Sequence, residues 1–270
     1  MKDGATVKNI KSVKDVRCFL LDMDGTFYLG DRLLEGSLEF IRAVEESGRD
    51  YLFLTNNSSH NAAYYVEKLR RMGLSVPREK VLTSGQATAM KARLLYPGKK
   101  AFVLGNEYLF EELREYGVEI DQQHPDYVII GYDTTLDYAK MTAVCDFVRD
   151  GLPYVATHPD YNCPTETGFA PDIGAIMAFI EASTGRRPDL IVGKPHAGIV
   201  DAALERTGLK ASEMAMVGDR LYTDIETGLR HGMTAILVMT GETTEEMLAR
   251  SETKPDLKYG RLSDMIPELK

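Results

Sequence analysis

The stretch Val16-Arg17-Cys18-Phe19-Leu20-Leu21-Asp22-Met23-Asp24-Gly25-Thr26 decides how this chain is read. An apolar run ends on two carboxylates spaced two apart. In an extended chain, positions i and i+2 lie on one side. Two like charges so close raise each other's pKa unless a cation sits between them. Gly25 then permits a sharp turn away from the strand. Read for chemistry, this is a metal-assisted site in which one carboxylate attacks and the other handles a proton. Read for structure alone, it is a strand end followed by a solvated Asp-Gly turn.

Three further segments repeat the design. Tyr51-Leu52-Phe53-Leu54 runs into Thr55-Asn56-Asn57-Ser58, and Asp189-Leu190-Ile191-Val192 runs into Gly193-Lys194-Pro195. Met214-Ala215-Met216-Val217 runs into Gly218-Asp219-Arg220, with Asp224 five residues on. Each has a structural alternative: a helix N-cap at 55–58, a turn with an exposed lysine at 193–195, a turn at 218–219. Short apolar runs alternating with helix-length segments indicate a parallel sheet covered by helices. Ligands of such sheets bind outside the carboxyl ends of the strands. Four segments with polar ends are expected to converge there.

Composition narrows the class. The chain has 270 residues, 44% of them hydrophobic, which supports a sizeable core. A net charge of −9 disfavours a nucleic-acid partner, which needs a basic footprint. It leaves room for small phosphates, because one lysine and a metal reverse the local field. Cys18, Cys145 and Cys163 are odd in number and lack C-x-x-C spacing, as expected of reduced cysteines in a cytoplasmic protein. The N-terminus has lysines but no apolar stretch, so no secretory leader is expected. No run reaches membrane-span length.

Taken in order, the motifs D-x-D-G-T at 22–26, a strand ending in Thr55, Lys194, and G-D-x-x-x-x-D at 218–224 resemble the haloacid dehalogenase superfamily of phosphohydrolases. Asp22 and Thr55 are 33 positions apart, room for one helix, whereas 139 separate Thr55 from Lys194. The large insertion therefore lies between the second and third motifs. That is the place of the type-2 cap, and the chain looks like the NagD-like, para-nitrophenyl phosphatase branch. The expected fold is α/β, a Rossmann-like parallel-sheet core at 16–83 and 185–270 with an inserted α/β cap domain at 84–184. Residues 1–15 are expected to form a loose tail.

The resemblance implies magnesium-dependent hydrolysis of small phosphomonoesters through an aspartyl-phosphate. The substrate would be a small phosphorylated metabolite of the sugar phosphate, glycerol phosphate, nucleotide or pyridoxal phosphate class. Asp22 would be the nucleophile and Asp24 the general acid, then base; Thr55 and Lys194 complete the catalytic set. Mg2+ would take Asp22, Asp24 through its backbone carbonyl, Asp219 and Asp224. Gly25, Asn56, Asn57, Ser58 and Lys194 would hold the phosphate. The loop at 157–165 would set specificity, with Tyr161, Asn162 and Cys163 on the leaving group. His158 reads as a capping or surface histidine. The cap is also a candidate homodimer surface. The competing readings are a catalytically idle binding or regulatory protein on this fold, and a phosphotransferase. A dehalogenase has no use for Asp24, and a phosphosugar mutase carries its cap between the first two motifs.

Overall fold

A computed structural model describes residues 12–165 and 168–270. Continuous apolar runs become strands buried on both faces, as parallel sheets require. Six parallel strands form the first sheet, in the order Leu257–Tyr259, Thr234–Val238, Met214–Gly218, Cys18–Leu21, Asp50–Thr55 and Val81–Thr83. Alternate side chains go to opposite faces. Phe19 and Leu21 join Phe53, Val217 and Ile236 on one face, while Cys18 and Leu20 join Leu52, Leu54 and Met216 on the other. The helices Ser37–Glu46 and Ala62–Arg71 cover the first face with Phe40, Ile41, Val44 and Leu69. The helix Ala197–Thr207 covers the second with Ile199, Val200 and Ala203. Each large side chain so buried stabilises by about 1.5–3 kcal/mol.

A second sheet of five parallel strands is built from the insertion together with the Leu190–Ile191 segment that follows it, in the order Leu190–Ile191, Tyr154–Ala156, Tyr127–Ile130, Lys100–Leu104 and Glu119–Ile120. It has its own two clusters, one with the helices Tyr138–Arg149 and Ile173–Thr184, the other with Glu107–Glu115. The helix Ser84–Leu95 belongs to both sheets: Ala87 packs into the first sheet's core, Ala89 and Ala92 into the second's. The α/β class and the inserted α/β unit are therefore observed as expected.

Several expectations need correction. Leu190–Ile191 does not return the chain to the first sheet; it pairs with Tyr154–Ala156 as an edge of the second. The stretch at 157–165 is not wholly loop, because Asn162–Thr165 pairs antiparallel with Gly168–Pro171. After Asp219 the chain makes a wide turn, in which Ile225 N–H reaches Arg220 O at 3.2 Å, before Glu226–Arg230 forms an α-helix. A short helix, Glu245–Arg250, follows later and is capped by the Thr244 side chain. A short hairpin, Tyr28–Leu29 with Arg32–Leu33, follows Asp24. Of the expected loose tail, residues 1–11 lie outside the described residues; Val13–Asp15 form one turn, with Val13 buried in the core. Among the described residues no helix is long and apolar enough to cross a membrane.

Candidate active site

Cys18–Leu21 lies between Met214–Gly218 and Asp50–Thr55, both from later in the chain. Asp22 follows directly and is held in line by its N–H, which donates to Val217 O at 2.9 Å. The carboxyl ends of these three strands thus bring Asp22, Thr55 and Asp219 to one rim, where ligands of open α/β sheets bind. Gly25, at φ +83°, turns the chain over Asp219; a Cβ there would lie 2.6 Å from Asp219 Oδ2. Gly218 permits an equally close approach by Asp224, whose Cγ would be 2.2 Å from an added Cβ.

Lys194 is the cation paired directly with the acids of the site. Its Nζ donates to Asp22 Oδ1 at 2.5 Å and to Asp224 Oδ1 at 2.7 Å. Burial pushes the ammonium pKa down, but Asp22 and Asp224 outweigh it and the group is held above the ordinary lysine value. Asn56 clamps this residue from both sides of its backbone: Lys194 N–H donates to Asn56 Oδ1 at 2.8 Å, and Asn56 Nδ2 donates to Lys194 O at 3.0 Å. Asp219 accepts from Thr26 Oγ1 at 3.2 Å and from Glu242 N–H at 2.7 Å. Asp224 also accepts from Arg220 N–H at 3.1 Å.

Oxygen atoms of Asp22, Asp219 and Asp224 all lie within 4.8 Å of one another. Burial first, and then neighbouring carboxylates, push Asp219 and Asp224 above the usual carboxylate range. Three carboxylates against the Lys194 ammonium and the neighbouring Arg220 guanidinium still leave the cluster short of positive charge. An all-oxygen donor set of this kind suits a hard divalent cation. The residues present therefore fit the metal expected from the sequence. Asp24 does not belong to the cluster through its side chain; it lines the adjoining cleft, and burial followed by the Asp22 charge pushes its carboxyl up.

The cleft, of about 220 Å³, is lined by Asp22, Asp24, Thr55, Asn56, Asn57 and Lys194, and on the far side by Asn162 and Cys163. Other expected residues are elsewhere. Ser58 is withdrawn: its hydroxyl shares a hydrogen bond with Thr157 Oγ1 at 2.9 Å and accepts from Tyr132 N–H at 2.8 Å, tying the two sheets together. Tyr161 is 64% exposed and lines a separate groove with Phe169 and Tyr222. His158 is neither surface nor cap: it is fully buried between Asp160 and Asp172. Asn57 reaches the cleft, but its N–H is taken by Thr55 Oγ1 at 3.2 Å. Sequence reasoning missed Arg220, paired with Glu242 at 3.1 Å, and Lys68, whose Nζ lies 4.2 Å from the Tyr28 ring centroid. Both line the cleft. The available signals were the arginine directly after Asp219, and the four-residue spacing of Tyr64 and Lys68, which places them along one face of the helix Ala62–Arg71. The loop at 240–243 was missed too; nothing in its composition signals that Glu242 N–H will hold Asp219.

Comparison with known proteins agrees with this geometry. Residues 19–119 match the haloacid dehalogenase-like hydrolase family, and residues 191–265 match a second HAD-hydrolase-like family. An acid sugar phosphatase of Staphylococcus aureus is 38% identical over 258 residues, covering 95% of this chain and 99% of its own. The crystal structure of a 4-nitrophenylphosphatase from Thermotoga maritima superposes with a TM-score of 0.93 at 48% identity, covering 95% of this chain and 98% of that one. NagD from Escherichia coli K-12 superposes with a TM-score of 0.86 at 32% identity, covering 92% and 98%. These likenesses set aside the catalytically idle reading. The family's hydrolases generally use a divalent metal. The chain belongs to the haloacid dehalogenase-like hydrolases and is a phosphatase of their NagD-like branch.

Proposed function

We propose that this phosphatase hydrolyses sugar phosphates and similar small phosphomonoesters through an aspartyl-phosphate on Asp22. One observation carries the reading. Lys194 holds one oxygen of Asp22, while Asp24, two residues on, is pushed toward its protonated form. That is the division of labour a covalent phosphatase needs. The relative named an acid sugar phosphatase supports the substrate class.

The remaining oxygen of Asp22 attacks phosphorus and the ester oxygen departs. Asp24 gives its proton to that leaving oxygen. It then takes a proton from the water that attacks the aspartyl-phosphate, which releases phosphate and restores both acids. Lys194 sets the orientation of Asp22 and offsets negative charge on the phosphoryl group. The Thr55 hydroxyl holds a phosphoryl oxygen as charge shifts during transfer. Asp22, Asp219, Asp224 and the Asp24 backbone carbonyl would hold Mg2+. Bound there, it would supply Lewis-acid stabilisation of the phosphoryl charge. The unit at 84–184 acts as a cap over the cleft, with Asn162 and Cys163 toward the leaving group, and keeps bulk water out.

The test is phosphate release from sugar phosphates and from para-nitrophenyl phosphate, with and without Mg2+, combined with acid quench of a radiolabelled substrate. Label should appear covalently on the wild-type chain and be absent from Asp22→Asn. Turnover without label on the protein, at quench times shorter than one turnover, would count against the aspartyl-phosphate.

A further inference from the structure

One buried ionisable cluster has no part in the chemistry above. His158 lies just beyond the Tyr154–Ala156 strand, with no solvent exposure. Its Nδ1 is 3.5 Å from Asp160 Oδ2, and its Nε2 is 3.6 Å from Asp172 Oδ1. These are ion-pair separations, longer than a good hydrogen bond. A neutral imidazole has a single N–H, so its bare nitrogen would point at a carboxylate. Only the imidazolium offers a proton to both sides. Removing one partner from such a buried set leaves an uncompensated charge.

The cluster is wired to the phosphoryl site. Asp160 Oδ2 accepts from Asn56 Nδ2 at 3.1 Å, and the same side chain clamps the backbone of Lys194. The layer has no slack: a Cβ on Gly193 would lie 2.7 Å from both Asn56 Oδ1 and His158 Cβ. Asp160 and Asp172 also line the cleft. As bare carboxylates they would repel a phosphate dianion, and one cation between them removes half of that charge. The charged groups facing the ring come from three segments: Asp160 from its own loop, Asp172 from the cap of the Ile173–Thr184 helix, and Lys194 from the segment after Leu190–Ile191. Arg220 faces both carboxylates. Burial works against a charged ring and so does Lys194, yet Asp172 and Asp160 outweigh them and hold the imidazole above its ordinary value.

We propose that His158 is a positioning residue of the phosphoryl site: as imidazolium between Asp160 and Asp172, it fixes Asp160 on Asn56 and thereby fixes Lys194 against Asp22. The role rests on the reading of Asp22 and Lys194 given under Proposed function. The protein has five histidines, so the ring nitrogens can be resolved individually by ¹⁵N–¹H correlation. The His158 signal is assigned by its loss in His158→Gln, or by elimination with variants of the other four if that variant does not fold. Both nitrogens of wild-type His158 should be protonated at pH 7, well above the point near 6.5 where a free histidine is half-charged. A neutral ring at pH 7 would overturn the proposal. This signal is read without turnover, which separates it from the test of the phosphatase reading. In kinetics, His158→Gln should lower kcat by up to about 10²-fold, the order expected of a displaced catalytic group. Adding Asp160→Asn should cost little more, because the two act as one link. Losses that multiply in the double variant would contradict the chain from His158 to Lys194.

Discussion

The rim of the first sheet and the separate two-stranded hairpin Asn162–Thr165 with Gly168–Pro171 line the same cleft but are built in opposite ways. At the rim, Asp219 and Asp224 are buried, each fixed by two or more partners, and Lys194 is buried between two acids. In the hairpin, Tyr161 and Phe169 stand in solvent, and Asn162 and Cys163 reach the cleft from strands of four residues. The rim has the fixed geometry that bond-making needs. The hairpin has few buried contacts and can change without unseating the sheet. On the proposed reading, chemistry falls to the part that cannot vary, and recognition to the part that can.

The strongest way to break this contrast is at the rim. Asp22→Asn should lower kcat by about 10⁴-fold or more, since loss of a covalent nucleophile elsewhere costs up to about 10⁶. Thermal unfolding should stay cooperative, because Asp224 still pairs Lys194. Residual activity within tenfold of wild type would remove Asp22 from the role of nucleophile.

Asp24→Ala should slow sugar phosphate hydrolysis by about 10²–10⁴-fold. Para-nitrophenyl phosphate should lose less in the phosphoenzyme-forming step, since nitrophenolate leaves with little help from an acid. Single-turnover rates for the two substrates make the comparison. Equal losses would mean that Asp24 does not protonate the leaving group.

A third experiment probes the joint between the regions. Glu112, on the second sheet's Glu107–Glu115 helix, is buried and accepts from Thr83 Oγ1 at 2.5 Å and Ala62 N–H at 3.0 Å, both in the first. Burial pushes its carboxyl up to about 7. An acid whose folded pKa is raised binds its proton more tightly in the native state. Its contribution is full below about 4.5 and is lost as pH rises to about 7, a change on the order of 3 kcal/mol. Glu112→Gln should therefore flatten the fall in Tm between pH 5 and pH 8 relative to wild type. Parallel Tm profiles would show that the group is not protonated in the native state.

The smallest effect is expected in the hairpin. Tyr161→Ala should alter stability by no more than about 0.5 kcal/mol, as exposed substitutions do. Its kcat on para-nitrophenyl phosphate should stay near wild type, whereas Cys163→Ala should shift KM for sugar phosphates and leave kcat in place. If Tyr161→Ala instead lowered kcat sharply, the hairpin would belong with the rim.

The same contrast explains what could be read from the sequence. Strands such as Lys100–Leu104, Tyr127–Ile130 and Thr234–Val238 have the boundaries their apolar runs predict, because burial on both faces leaves a continuous signal. Asp22, Asp24, Lys194, Asp219 and Asp224 stand out because carboxylates and an ammonium are costly next to such runs. Sheet membership was not legible. Leu190–Ile191 is two residues long, and whether it joins the first or second sheet depends on pairing with Tyr154–Ala156, far away in sequence. The hairpin was hidden by Pro164 and Pro171, which argue against strand. His158 was misread because its partner Asp172 comes fourteen positions later and only the fold brings it to the ring. Ser58 was misread for the same reason: its partners are Thr157 and Tyr132.

The central place of Cys18–Leu21 has a consequence for how the molecule comes into being. Its two neighbours in the sheet are the strands Asp50–Thr55 and Met214–Gly218. A chain emerging from the ribosome presents Asp22 early and Thr55 soon after. One edge of the strand that leads to Asp22 then stays unpaired until the chain has grown from Thr55 to Met214. Pairing over such a span closes late, because the loop entropy must be met before the contact repays it. The site is therefore completed as one of the last events of synthesis, and a truncated chain ending before residue 214 carries Asp22 without Asp219, Asp224 and the strand that leads to them.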